Sequence, residues 1–148
     1  AVTGKRKAIF REVLAEMHLG LENRLQTPVG TLSGGQRQAL ALIMATLALP
    51  KLLLLDEHTA ALDPHAAEQI MEITAHLVCS KKLTTLMITH NMEQALRFGN
   101  RLIMMHRGRI VLDINQEEKD KLIVPQLIEK FTAVSGTAFV EDRVLLSL

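Results

Sequence analysis

The 148-residue chain has one cysteine, no tryptophan or tyrosine, and almost no excess of charge. The lone Cys79 excludes an internal disulfide framework and a multi-cysteine zinc site, and points to a reducing compartment, the cytosol. Aromatic residues are 3% of the chain, too few to build stacking platforms for single-stranded nucleic acid. Seventeen basic side chains face 16 acidic ones, a net charge of +1, which argues against a polyelectrolyte binder, so no nucleic-acid partner is expected. The most apolar stretch, residues 39–49, falls well short of the ~20 residues that cross a bilayer. Lys5, Arg6 and Lys7 are not followed by an apolar run of signal-peptide length, because Arg11, Glu12 and Glu16 interrupt it.

Apolar material is plentiful. Hydrophobic residues make up 48% of the chain and the mean hydropathy is +0.17, which excludes intrinsic disorder. The length is that of one compact domain.

The order of elements follows from periodicity and punctuation. Ile9, Val13 and Met17, with Phe10 and Leu14 beside them, predict an amphipathic helix over residues 5–19, stopped by Gly20. Ser33 is a good N-cap for a helix that runs until Pro50 forces a stop. Lys51 and the four leucines after it read as a strand covered on both faces, as in a parallel sheet. Asp63-Pro64 opens a second long helix carrying Ile70, Met71, Thr74, Leu77 and Val78. Residues 83–89 form a second strand and residues 92–98 a short helix closed by Gly99. Residues 101–106 and 109–114 make a hairpin across Arg107-Gly108, and residues 116–131 are helical with a break at Pro125. Residues 137–148 give no clear signal. The fold class is α/β: a helical part over residues 1–50, a mainly parallel sheet with flanking helices over 51–131, and a tail over 132–148.

In open α/β sheets, ligands collect at the carboxyl ends of the strands. Asp56-Glu57 follows the first strand and His90 the second. A carboxylate after an apolar strand is suited to ordering Mg²⁺ through its waters, with an adjacent Glu able to polarise an attacking water. The same pattern also occurs as an ordinary solvated loop entry, and a histidine at a strand end as an ordinary surface residue. Ser33-Gly34-Gly35-Gln36 is more specific, since successive glycines at a helix start let backbone N–H groups approach a phosphate.

Taken in order, residues 32–38 (Leu-Ser-Gly-Gly-Gln-Arg-Gln), the Leu52–Glu57 run, residues 61–64 (Ala-Leu-Asp-Pro) and Ile88-Thr89-His90 resemble the ATP-binding-cassette (ABC) ATPases over roughly residues 5–131. The resemblance implies ATP and Mg²⁺ as ligands. Ser33, Gly35 and Gln36, with Gly34 between them, match the signature motif, which contacts the γ-phosphate of an ATP held by an opposing subunit. Asp56 matches the Walker B carboxylate, a Mg²⁺ ligand through water, and Glu57 the catalytic base. Asp63 matches the loop that communicates between two sites, and His90 the switch histidine. His58 stands where the family usually has proline. With His65 it reads as a polar loop residue rather than a metal ligand.

The eight glycines, at 4, 20, 30, 34, 35, 99, 108 and 136, form no G-x-x-x-x-G-K-[ST] phosphate-binding loop. Thr3-Gly4-Lys5 lacks the following Ser/Thr and a preceding strand. The expectation is therefore an incomplete P-loop NTPase-type fold: the C-terminal portion of an ABC ATPase domain, inactive alone and prone to self-association through an uncovered strand face. The resemblance implies an ATPase subunit that couples hydrolysis to transport of a small solute. Its partners would be a membrane-spanning permease and a second ATPase subunit bound head to tail, and its place the cytoplasmic face of the membrane. The competing expectations are a non-transport ABC ATPase of DNA repair or translation, and a non-catalytic ABC-like regulatory module.

Overall fold

The computed structural model describes residues 4–135. By internal packing the chain divides into two compact units, residues 1–88 and residues 89–148.

In the first unit, helix α1 (Gly4–Ala15) is followed by two short 3-10 turns, Leu21–Asn23 and Val29–Thr31, and then by helix α2 (Gly34–Leu47). Strand β1 (Leu53–Asp56), helix α3 (Pro64–Ser80) and strand β2 (Thr85–Ile88) complete it. Helix α1 stops earlier than its apolar stripe predicts. Met17 N–H turns back to Leu14 O and His18 N–H to Ala15 O, so Met17 reaches the core from a turn, while Ile9 and Phe10 are exposed. Gly20, at φ +70°, opens the following 3-10 turn instead of ending the helix.

Helix α2 packs against α3, and the core joins Ala39, Leu42 and Ile43 of α2 to Ile70, Ile73 and Leu77 of α3 and to Leu53 and Leu55 of β1. Each leucine or isoleucine among them contributes roughly 1.5–3 kcal/mol through removal from water. Thr46 is fully buried in this apolar helix, and its hydroxyl lies within hydrogen-bond reach of Leu42 O at 3.0 Å and Ile43 O at 3.1 Å. Strands β1 and β2 pair in parallel, with Leu53 opposite Thr85 and Asp56 opposite Ile88. The four-leucine run is not covered on both faces. Leu53 and Leu55 are buried, whereas Leu54 is 65% exposed, with Leu86 and Ile88 each 52% exposed. A strand alternates its side chains, and only the face turned to the helices of this unit is packed.

In the second unit, helix α4 (Met92–Arg97) leads into strands β3 (Arg101–His106) and β4 (Arg109–Asn115), followed by helices α5 (Gln116–Lys119) and α6 (Val124–Ser135). Strands β3 and β4 form an antiparallel hairpin whose two-residue turn, Arg107-Gly108, has φ +48° and +74°. Positive φ at both central residues matches the right-handed twist of the flanking strands. The register shifts by one residue between Met104 and Met105, which leaves Val111 as a bulge. The break expected in residues 116–131 falls at residues 120–123, between α5 and α6. Pro125 itself sits in the first turn of α6, where a backbone N–H would have no intrahelical acceptor. Leu102, Ile114 and Leu127 form the core of this unit. Of the expected tail over residues 132–148, residues 132–135 continue α6 and the rest lies outside the described residues.

Candidate functional site

Ser33 takes the extended conformation of an N-cap, φ −64° and ψ 164°. Its Oγ accepts from Gln36 N–H at 3.2 Å, and Gln36 Oε1 accepts from Ser33 N–H at 3.1 Å, a reciprocal capping box. The other end of the Gln36 amide donates Nε2–H to Leu19 O at 3.1 Å, tying the turn to the chain that follows α1. Regular helix bonding begins with Arg37 N–H to Ser33 O. The amides of Gly34 and Gly35 therefore have no intrahelical acceptor, and they stand at the positive end of a 14-residue helix.

The two glycines lie against the start of α3, Gly34 more tightly than Gly35. A Cβ on Gly34 would lie 3.1 Å from Leu62 Cδ2, and one on Gly35 would lie 3.5 Å from Ala66 Cβ. The signature turn is thus seated on the segment that starts α3. Asp63 caps that helix, accepting from Ala66 N–H at 3.0 Å, with Pro64 pre-set for the first turn. Gly34 and Gly35 meet residues on either side of Asp63 because the β1–α3 connection folds back in two tight turns, Ala60 N–H to Glu57 O and Leu62 N–H to Thr59 O.

Asp56 ends β1 beside Ile88, and both Asp56 and Glu57 are exposed at the carboxyl end of the parallel pair. Glu57 N–H still follows the ladder, donating to Ile88 O at 3.0 Å. Its backbone then turns sharply, at φ +43°, a left-handed conformation that costs a non-glycine residue roughly 1 kcal/mol or more. This turn carries the chain off the sheet immediately after the carboxylate that would face a ligand.

His58, expected as a plain polar loop residue, is half-buried. Its Nε2 lies 3.0 Å from Thr74 Oγ1 on α3, and burial lowers its pKa from the ordinary histidine value. Sequence reasoning placed Thr74 only in the buried stripe of α3; a hydroxyl among buried aliphatics was the available signal that a polar partner would be needed.

The structure thus brings Gly34 and Gly35 together with the Leu62–Ala66 segment, and joins that segment through two turns to Asp56 and Glu57. His90 belongs to the second unit, two residues along the chain beyond Ile88, and is exposed. A polar network flanks it. Thr89 Oγ1 donates to Gln94 Oε1 at 3.0 Å and accepts from Asn91 N–H at 3.1 Å, and Asn91 Oδ1 caps α4 by accepting from Gln94 N–H at 3.0 Å.

As to metal, no group of three or more His, Cys, Asp or Glu side chains gathers among the described residues. An all-protein cage is not what Mg²⁺ needs. It keeps most of its waters and takes one or two carboxylates together with phosphate oxygens, a role that an exposed Asp56 at a strand end fits.

A parallel strand–helix–strand unit with chemistry at its carboxyl rim and an anion-ready helix start is the architecture of the P-loop NTPase class. Two solved structures agree with it. One, an ABC transporter described as of metal-chelate type in an inward-facing conformation, has a TM-score of 0.70 and 23% identity, covering 90% of this chain and 50% of that one. The other, the ADP conformation of an ATP-binding cassette of an ABC transporter, has a TM-score of 0.68 and 24% identity, covering 88% of this chain and 51% of that one. The ABC transporter family model matches residues 5–60. A tyrosine transport ATP-binding protein of Clostridioides difficile is 52% identical over 122 residues, 82% of this chain and 49% of the relative. The methionine import ATP-binding protein MetN of Bartonella henselae is 39% identical over 112 residues, 68% of this chain and 33% of the relative. The chain belongs to the ABC transporter ATP-binding family. It spans about half the length of the first of these curated relatives and a third of the second.

Proposed function

We propose that residues 1–50 and 51–131 are the signature-bearing and core parts of an ATPase domain that couples ATP hydrolysis to uptake of a small solute, an amino acid in the first instance. The observation that carries this reading is the 52% identity to a tyrosine transport ATP-binding protein, over a chain whose signature turn is seated directly on the loop after Walker B. Glu57 polarises the attacking water, Asp56 holds Mg²⁺ through water, and His90 contacts the γ-phosphate. Ser33, Gly34, Gly35 and Gln36 face an ATP held by a second ATPase subunit, and Asp63 links the two sites.

The partners are a membrane-spanning permease and that second subunit, and the protein works at the cytoplasmic face of the membrane. No helix among the described residues is long and apolar enough to cross a membrane, in keeping with peripheral attachment. This chain holds half of the nucleotide site and neither binds Mg·ATP tightly nor hydrolyses it alone. Equilibrium dialysis of the 148-residue chain against Mg·ATP tests that claim, and micromolar binding would overturn it. In the native protein, Glu57→Gln lowers hydrolysis by roughly 10²-fold or more, in line with loss of a group that acts in the transition state. Retained turnover would remove Glu57 from its role.

A further inference from the structure

The connection between β1 and α3 carries the carboxylates at one end and, at the other, the residues on which the signature turn rests. Backbone bonds within it and the reach of His58 to α3 both hold its course. Thr74 Oγ1 lies 2.7 Å from Ile70 O, within reach to donate its hydroxyl proton to that carbonyl. A carbonyl oxygen has no proton to give, and a hydroxyl has only one. With that proton on Ile70 O, the 3.0 Å contact between His58 Nε2 and Thr74 Oγ1 is assigned as Nε2–H donating and Oγ1 accepting. Thr74 is itself 5% exposed and held in the buried stripe of α3, so the acceptor is fixed by packing. His58 follows Glu57 directly, and the backbone at Glu57 is in the left-handed region, which surrounding structure has to hold in place.

We propose that His58 is a positioning residue for Glu57: its Nε2–H bond to Thr74 anchors the turn that presents the Glu57 carboxylate, without His58 touching the nucleotide. The proposal rests on the assignment of Glu57 as water-activating base. The bond joins residues 16 apart in sequence, spans the loop and the first buried helix after it, and engages a proton donor whose partner is rigid. Loss of either side chain frees the loop while leaving the α2–α3 core in place.

The test is amide hydrogen exchange at Ala60 and Leu62, whose N–H groups close the two turns of the loop, in His58→Ala, Thr74→Val and the double variant of the chain. His58→Gln, which returns a donor near the Nε2 position, and Thr74→Ser, which keeps the acceptor, serve as rescues. The expected result is exchange about tenfold faster at both amides in each single variant, as loss of a half-buried hydrogen bond dictates. The double variant is no faster than the singles, the rescues recover most of the protection, and the amides of Leu42 and Ile43 in α2 do not change. Nitrogen-15 spectra of the wild type show His58 protonated at Nε2. Unchanged exchange, acceleration spread equally through α2, additive effects of the two substitutions, or a proton on Nδ1 with bare Nε2 each overturn the proposal. In the native protein, His58→Ala lowers kcat with KM unchanged and His58→Gln recovers it. Should Glu57→Gln abolish hydrolysis while His58→Ala leaves kcat intact, His58 alone loses its role; should Glu57→Gln retain hydrolysis, it is the assignment of Glu57 that falls, and the exchange data still decide whether His58 holds the loop.

Discussion

Gly34 sits against Leu62, so close that a methyl group on its Cα would come within 3.1 Å of the Leu62 Cδ2 atom. Through this contact the first turn of α2 rests on the loop that leads from β1 to Asp63. A displacement of one would be felt by the other, since packed interfaces transmit strain instead of absorbing it.

The two glycines of the turn therefore respond differently to substitution. Gly34→Val places a branched side chain where even Cβ is crowded, and should cost about 1–3 kcal/mol of stability as an overpacked site does. Gly35→Ala meets Ala66 Cβ at an ordinary 3.5 Å, and alanine in place of glycine favours the helix by up to about 1 kcal/mol. The Gly35→Ala chain should be at least as stable as wild type in urea unfolding followed by circular dichroism. On the proposed role of the turn, the same substitution in a complete ATPase domain should depress ATPase activity, because the added methyl would occupy the surface proposed to face the phosphate. A variant both stable and fully active would show that the turn serves only the fold.

Much of the architecture is legible along the chain, because strong local signals coincide with element ends: Asp63-Pro64 at the start of α3, Ser33 at the start of α2, and Arg107-Gly108 between β3 and β4. Boundaries set by tertiary partners are not. The strand after Pro50 begins at Leu53 and not at Lys51, since Leu53 is the residue whose N–H finds Thr84 O. Helix α1 ends early because of the turn that carries Met17 inward, which periodicity cannot register. In the candidate site, the residue types at the strand ends are visible in sequence. The seating of Gly34 on Leu62, the engagement of both ends of the Gln36 amide, and the His58–Thr74 bond are not, because each joins residues with no fixed spacing.

Lys119 predicts a pH effect of definite sign. It is 2% exposed, and its Nζ donates to Phe98 O at 2.7 Å and also to Gly99 O. Burial lowers its pKa from the ordinary lysine value of 10.5, against a smaller opposing pull from Asp120. Below the folded-state pKa the lysine is protonated in both states and contributes no pH dependence. Between that value and 10.5 the unfolded chain holds a proton that the native one has released, so stability rises with pH across this window and levels off above it. Lys119→Met leaves two carbonyls without their donor and should cost about 1–3 kcal/mol near neutrality. The gap between wild type and Lys119→Met should widen as urea unfolding is repeated from about pH 8 to pH 11, with no tyrosine in the chain to interfere. A gap that narrows would contradict the burial effect.

Arg107 holds φ +48° at the first position of a two-residue hairpin turn. A residue with an ordinary Cβ resists that conformation, whereas asparagine, whose short polar side chain bonds locally to the backbone, accepts it, and Asn-Gly is the pairing most favoured at such turns. Arg107→Asn should raise the stability of the second unit by about 0.5–1 kcal/mol, read as slower exchange of the β3–β4 amides. A loss of protection would mean that the arginine side chain contributes more to the hairpin than the backbone strain costs.

The exposed face of the parallel pair leads to a prediction about association. Leu54, Leu86 and Ile88 lie on adjacent strands, and each leaves at least half of its surface in water. Contiguous aliphatic surface of this kind drives contact between copies, and a two-stranded sheet also offers unpaired backbone at its edges. The 148-residue chain should therefore associate as its concentration rises, seen as an increasing weight-average mass in sedimentation equilibrium. Leu86→Glu should suppress this with little loss of stability, since the position is already half in solvent and a charge there meets no buried neighbour. Leu77→Glu, in the sealed α2–α3 core, should unfold the unit instead. If Leu86→Glu leaves the mass distribution unchanged, the β1–β2 face is not where copies meet.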